Sequence, residues 1–162
     1  FLVFWASTSL YLNIADEGVA GSITTSTRSI VDLCSVRFDD LCTYDHYVFP
    51  AHRDCFLRCW TTMPESVGVA YVEDGQILGY GLVRRCYRGH KIGPLFADTP
   101  EIGESIFSSL TNRVPEGSPI FLDVPEVNPS AVDLASRYRM KKVFETARMY
   151  TKDSYNTRFC RK

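Results

Sequence analysis

A glycine–proline pair inside an otherwise strand-like run is the feature that most constrains how this chain can fold. The run is Lys91–Ala97 (KIGPLFA), and it lies within Gln76–Val124, a stretch whose boundaries each carry their own chemistry. Asp74-Gly75 just ahead is a hairpin signal, because glycine tolerates the positive φ of a primed two-residue turn. Arg88-Gly89 marks a second turn, so Ile77–Cys86 and Lys91–Ala97 are expected to pair as antiparallel neighbours. Thr99-Pro100 reads as an N-cap followed by proline at the first helical position, where the missing N–H costs nothing. Ile102, Ile106 and Leu110 share one helical face, Val114 follows at the same spacing, and Pro115 with Gly117 ends the run. Ile120–Leu122 is a short apolar strand, and a strand–helix–strand crossover makes it parallel to Lys91–Ala97.

Within this unit proline cannot donate to a sheet ladder, and glycine in a strand marks a bulge or a close backbone approach. A bulge at Gly93-Pro94 weakens pairing with the parallel strand and opens a crevice at the carboxyl ends of the strands, where open α/β sheets bind ligands. The competing reading is an edge strand that tolerates a proline, and from this pair alone both stay open.

The chain's 162 residues suffice for one domain with a core, plus a fragment of another, and 45% hydrophobic content is that of a globular protein. Eighteen Lys and Arg against nineteen Asp and Glu give a net charge of −1. Nucleic acid is therefore excluded as the main partner, since phosphate binding needs concentrated basic residues. Arg84, Arg85, Arg88 and Lys91 remain as a local cluster able to hold a small anion. No stretch approaches the ~20 apolar residues of a membrane span. Phe1–Trp5 lacks a basic region before it, so no signal peptide is expected, and a chain opening on Phe1 implies an upstream part. Cys34, Cys42, Cys55, Cys59, Cys86 and Cys160 follow no disulfide or zinc spacing, which predicts free thiols, no metal and a cytoplasmic location.

Elsewhere, Leu2–Ile14 reads as one or two strands, Asp16–Ser29 as a polar linker, and Ile30–Val36 as a short strand. Asp39 or Asp40 is expected to cap a helix from Leu41. Phe49-Pro50 interrupts it, and Pro50 starts a second helix through Trp60 that packs on Phe56, Leu57 and Trp60. Val67–Val72 alternates as a strand. Asn128-Pro129 repeats the cap-then-proline signature before Ala131, Leu134, Ala135 and Tyr138 at helical spacing. Val143–Tyr150 is the last strand and Thr151–Lys162 a polar tail. Trp60, Phe96, Tyr138 and Phe144 are assigned to the core. A mixed sheet with helices on both faces is the natural way to bury these elements.

This order, with the bulge, resembles the GNAT acyltransferase superfamily over Ile30–Thr151. More specifically, Tyr44-Asp45, Phe49-Pro50-Ala51-His52-Arg53, Gly79-Tyr80-Gly81, Lys91–Asp98, Leu122–Glu126 with Asn128, and Arg148-Met149-Tyr150 are similar to the second, divergent domain of two-domain GNAT proteins. The resemblance implies an α/β fold: an antiparallel meander, then a parallel strand pair with a bulge, flanked by helices. It divides the chain into the closing strand and linker of a preceding GNAT domain (1–28), a GNAT-like domain (29–152) and a tail (153–162).

The activity it implies is transfer of an acetyl or acyl group from acetyl-CoA, as co-substrate, to an amine of a small molecule. Backbone amides of Leu95, Phe96 and Ala97, with Asn128, are then expected at the acyl-CoA arm. Asp123 is the candidate base at a strand's carboxyl end, the alternative being a structural carboxylate that accepts from the Pro125–Asn128 turn. His52 is the second catalytic candidate, and Asp45 and Arg53 are expected on the acceptor side. The alternative there is a surface His–Arg pair, with Asp45 or Asp54 as the carboxylate partner.

Two parts of the family pattern are replaced. The pyrophosphate loop, Arg/Gln-x-x-Gly-x-Gly/Ala, gives way to Asp98-Thr99-Pro100-Glu101-Ile102-Gly103-Glu104, where proline removes a donor and acids occupy the helix start. Ala135 stands where the family places its acidic tyrosine. A catalytically inactive GNAT-like module for acceptor binding or protein interaction is therefore the alternative function.

Overall fold

A computed structural model describes residues 2–3, 8–13, 29–49 and 51–145. The elements run β1 (Leu2–Val3), β2 (Thr8–Asn13), β3 (Ile30–Asp32), α1 (Phe38–Val48), α2 (Asp54–Thr61), β4 (Ser66–Glu73), β5 (Gln76–Cys86), β6 (Gly89–Ala97), α3 (Pro100–Thr111), β7 (Pro119–Val124), α4 (Pro129–Arg137) and β8 (Lys141–Glu145). The strands form one sheet in the order β3-β4-β5-β6-β7-β2-β8, with β1 on β6. Only β6 and β7 pair in parallel among the described strands. This is the mixed sheet with helices on both faces that the sequence predicts.

Strand alternation sorts the core. On one side Ile92, Leu95, Ala97, Ile120, Leu122 and Val124 meet Ile102, Ile106, Phe107 and Leu110 of α3 and Ala131, Leu134 and Ala135 of α4. On the other, Tyr80, Leu82 and Phe96 meet Leu41, Tyr44, Val48 and Leu57 of α1 and α2. Leu95 and Phe96 thus serve opposite layers, as expected of neighbours in a strand buried on both faces. Gly79 and Gly81 flank Tyr80 on the α3 side. A Cβ at Gly79 would stand 2.8 Å from both Ile106 Cδ1 and the Phe96 carbonyl oxygen, so the absent side chains let α3 lie close to β5.

Several boundaries differ from the sequence expectation. Ile30–Val36 is a strand only as far as Asp32, because Leu33–Ser35 turns into a 3-10 segment. The first helix starts at Phe38, with Arg37 as N-cap, so Asp39 and Asp40 lie in its first turn and complement its dipole instead of capping it. The second begins at Asp54, because Arg53 takes non-helical angles (φ −139°, ψ 36°). Pro50, the linker, the strand beyond Glu145 and the polar tail lie outside the described residues. Of the residues assigned to the core, Phe96 is buried, Tyr138 packs edge-on against Phe107 (4.7 Å between centroids), and Phe144 is 53% exposed on the fully exposed strand β8.

Candidate functional site

The parallel ladder between β6 and β7 runs from His90↔Ile120 to Ile92↔Leu122 and stops there. The residues that follow are Gly93 and Pro94. On the β5 side pairing jumps from Val83↔Ile92 to Gly81↔Leu95, so Gly93 and Pro94 together face Leu82 alone. That is the predicted bulge: one extra residue in β6 breaks the ladder and the two strands part. The Trp60 indole N–H donates to the Gly93 carbonyl at 3.0 Å, which ties α2 to the bulge.

Where the strands part, Lys91 Nζ lies 2.7 Å from Asp123 Oδ2, both half-buried. Asp123 is one residue past the last parallel pair, on the sheet face away from Leu122 and Val124. The candidate base is therefore an ion-paired carboxylate. The edge of β6 beyond the bulge is occupied as well. β1 pairs antiparallel with it, Leu2↔Ala97 and Val3↔Phe96.

The start of α3 closes on itself. Thr99 Oγ1 accepts from the Ile102 N–H at 3.3 Å, and Pro100 has no N–H to offer. The exposed Glu101 carboxyl is held below its ordinary range by hydrogen bonds that it accepts from its own backbone N–H and from the Thr99 hydroxyl. Glu104 pairs with Arg137 of α4. A first turn whose donors are met by its own side chains, and which carries acids, does not fit a pyrophosphate. At the end of β6, the Tyr44 hydroxyl donates to Asp98 Oδ1 at 2.9 Å, and its oxygen also lies 3.1 Å from the Leu78 carbonyl. Burial, then the Asp98 charge, pushes this phenol far up, so it remains a donor.

Asp45 and Arg53 come together as an ion pair in which the carboxylate is buried and the guanidinium partly so. Asp45 is 1% exposed. Arg53 grips it with Nε at 2.8 Å and Nη2 at 2.5 Å, and the Tyr80 hydroxyl donates to Oδ1 at 2.5 Å. The guanidinium lies 4.0 Å over the Phe49 ring. Burial and the Asp45 carboxylate raise the Tyr80 phenol well above its usual value. His52 is exposed and stacks on His46, with centroids 3.8 Å apart and planes 7° from parallel. Asn128 caps α4, accepting from the Ala131 N–H at 3.3 Å.

The basic cluster does not pool its charge. Arg85 pairs with Glu65 at 2.8 Å, Lys91 with Asp123, and Arg84 lies 5.1 Å over the Trp60 ring. Strand alternation sends adjacent arginines to opposite faces. A groove of about 480 Å³ lies at the other end of β6, lined by Glu65, Arg85, Cys86, His90 and Pro119 among others. Among the described residues, no group of three or more His, Cys, Asp and Glu is placed to hold a metal, and no helix is long and apolar enough to cross a membrane.

Tyr80 and the indole N–H of Trp60 are the participants that residue patterns passed over. For Tyr80 there was a signal: a tyrosine between two glycines in a strand turns its large side chain to one face while the other face is pared down. Nothing local marks Trp60 as a hydrogen-bond donor to a residue 33 positions away.

A mixed sheet whose one parallel pair parts at a bulge, with helices on both faces, defines the acyltransferase-type α/β architecture. The profile of the Acetyltransferase (GNAT) domain matches residues 41–159, and the chain belongs to that family. It is 19% identical to the holothin acyltransferase of Pseudoalteromonas sp. (strain SANK 73390), over 82% of this chain and 45% of that protein, and so spans less than half the relative's length. In fold it is similar to a candidate acetyltransferase from Pyrococcus horikoshii, with a TM-score of 0.58 at 24% identity over 88% of this chain and 43% of the other. It is also similar to a tandem GNAT protein from the clavulanic acid biosynthesis pathway, with a TM-score of 0.59 at 12% identity over 85% and 50% of the two chains.

Proposed function

We propose that this chain serves N-acyl transfer from acetyl-CoA or another acyl-CoA to an amine of a small molecule, within a longer two-domain protein in which it is the second domain. The observation that carries the reading is the parting of β6 from β7 after Ile92↔Leu122, in a chain of the GNAT family. Beyond the bulge the edge of β6 is released from the parallel ladder, and this edge, on which Leu2–Val3 is paired, is suited to an extended, amide-bearing arm, with Asp123 and Lys91 at its mouth. Spanning less than half of an acyltransferase, and half of a tandem GNAT protein, supports the two-domain part of the reading.

The second reading is an inactive GNAT-like module that shapes an acceptor site or holds a partner. It is favoured by the closed, acidic start of α3, by the Lys91–Asp123 ion pair, and by Ala135, buried where the family places its tyrosine.

Calorimetric titration with acetyl-CoA separates the two. Saturable heat supports transfer. None at millimolar ligand, with Leu2–Val3 seated or displaced, sinks transfer by this chain and leaves the inert module. Where turnover is measured as thiol release with small amines, Asp123→Asn is expected to lower the rate by about 10²-fold or more at nearly unchanged affinity, as removal of a general base does. An unchanged rate removes Asp123 from the chemistry.

A further inference from the structure

The edge of β6 that would take an acyl-CoA arm is the edge on which Leu2–Val3 is paired. β5 occupies one side of Phe96 and Ala97, through Tyr80↔Phe96 and Gly79↔Ala97. The pairings Val3↔Phe96 and Leu2↔Ala97 must therefore lie on the other side, the side facing β7. That side is free for a short segment because the bulge has ended the β6–β7 ladder at Ile92↔Leu122. β2 follows along the far edge of β7, beginning at Thr8↔Val124, so β1 and β2 flank the carboxyl end of β7. The slot between the parted strands thus holds two residues of this chain, in antiparallel register with β6.

We propose that Leu2–Val3 is a built-in competitor for this slot, and that the strand and an acyl-CoA occupy it in turn. The inference rests on the acyl-transfer reading above. A dipeptide strand and the arm of coenzyme A present the same chemistry to a sheet edge, amide N–H and C=O groups on an extended chain, and both need the backbone of Phe96 and Ala97. The strand has the advantage of attachment: a tethered segment acts at an effective concentration in the millimolar range or above. The acyl-CoA has little to offset it with, since the first turn of α3 supplies no phosphate cradle. An acyl-CoA therefore binds in proportion to the fraction of molecules in which the strand has left. A strand seated nine-tenths of the time weakens apparent affinity about tenfold.

The test opens the slot from the strand's side. The double variant Leu2→Pro, Val3→Pro removes both backbone donors of β1, while Leu2→Ala, Val3→Ala keeps them. Acetyl-CoA affinity by calorimetry is expected to rise at least about tenfold in the proline variant and to stay near the parental value in the alanine variant. Hydrogen exchange of the peptide containing Phe96 and Ala97 should quicken in the proline variant and slow again with saturating acetyl-CoA.

Equal affinity of parent and proline variant overturns the competition and leaves the acyl-transfer reading standing, whereas absence of binding by both sinks the two together. The parent alone gives an independent reading that needs no variant. Saturating acetyl-CoA should expose the peptide containing Leu2 and Val3 to exchange. Protection of that peptide together with bound ligand overturns the proposal.

Discussion

Asp45 and Asp123 are both carboxylates paired with a cation on the same side of the sheet, yet their surroundings put them to different uses. Asp45 lies under α1, held by two nitrogens of Arg53 and by the Tyr80 hydroxyl, with aromatic rings around the guanidinium. Asp123 pairs with the Lys91 ammonium where β6 and β7 part, and both side chains are reached by solvent. A buried pair like the first fixes geometry, because either partner left alone is an uncompensated charge in a dry place. The second can exchange its partner for water or a ligand at small cost. The sheet therefore has a locked half, β4–β6 beneath α1 and α2, and an openable seam at β6 and β7.

Asp45→Ala should cause the largest loss, about 3–5 kcal/mol in chemical unfolding, since it leaves Arg53 and the Tyr80 hydroxyl without their acceptor. A loss under about 1 kcal/mol would mean that water reaches Arg53 and that this half is not locked. Gly79→Ala comes next, at about 1–3 kcal/mol, because its Cβ would press on the Phe96 carbonyl as well as on the flexible Ile106 tip. No change would show that α3 has room to shift over β5. Trp60→Phe keeps the ring against Phe56 but removes the donor to Gly93, and about 1 kcal/mol is expected. It also sharpens the contrast: quicker hydrogen exchange around Gly93 alone would show that α2 holds the bulge in place. The smallest effect is expected from Lys91→Ala, within about 1 kcal/mol. A loss comparable to that of Asp45→Ala would erase the distinction between seam and lock.

What the residues revealed in advance follows the same division. The bulge, the parallel strand and both cap-then-proline helix starts were legible because each depends on local backbone chemistry: a missing N–H, a side-chain acceptor, an alternation of period two. The second helix was placed too early because proline commonly opens a helix, whereas the helix starts only at Asp54, after an Arg53 that takes non-helical angles and pairs with Asp45. The site residues were harder. Asp45 and Arg53 are eight positions apart, and their burial depends on Tyr80 arriving from a strand 35 residues beyond Asp45. Phe144 looks like a core residue by type, but its strand is exposed along its whole length. The occupant of the seam was beyond reach, since nothing in Leu2–Val3 specifies Phe96 and Ala97 as its partners.

The position of β2 has a consequence for how the chain assembles. Thr8–Asn13 lies between β7 and β8, pairing with Pro119–Val124 on one side and with Lys141–Glu145 on the other. During synthesis it is among the first of the described segments to emerge, yet its neighbours are made more than a hundred residues later. Contacts of such long sequence separation slow folding, because the intervening loop must close before any pairing rewards it. The meander β4–β6 can form from its own hairpins while β2 waits. β8 then depends on β2 as its partner in the sheet, so this side of the sheet is completed last, by a strand made long before its neighbours.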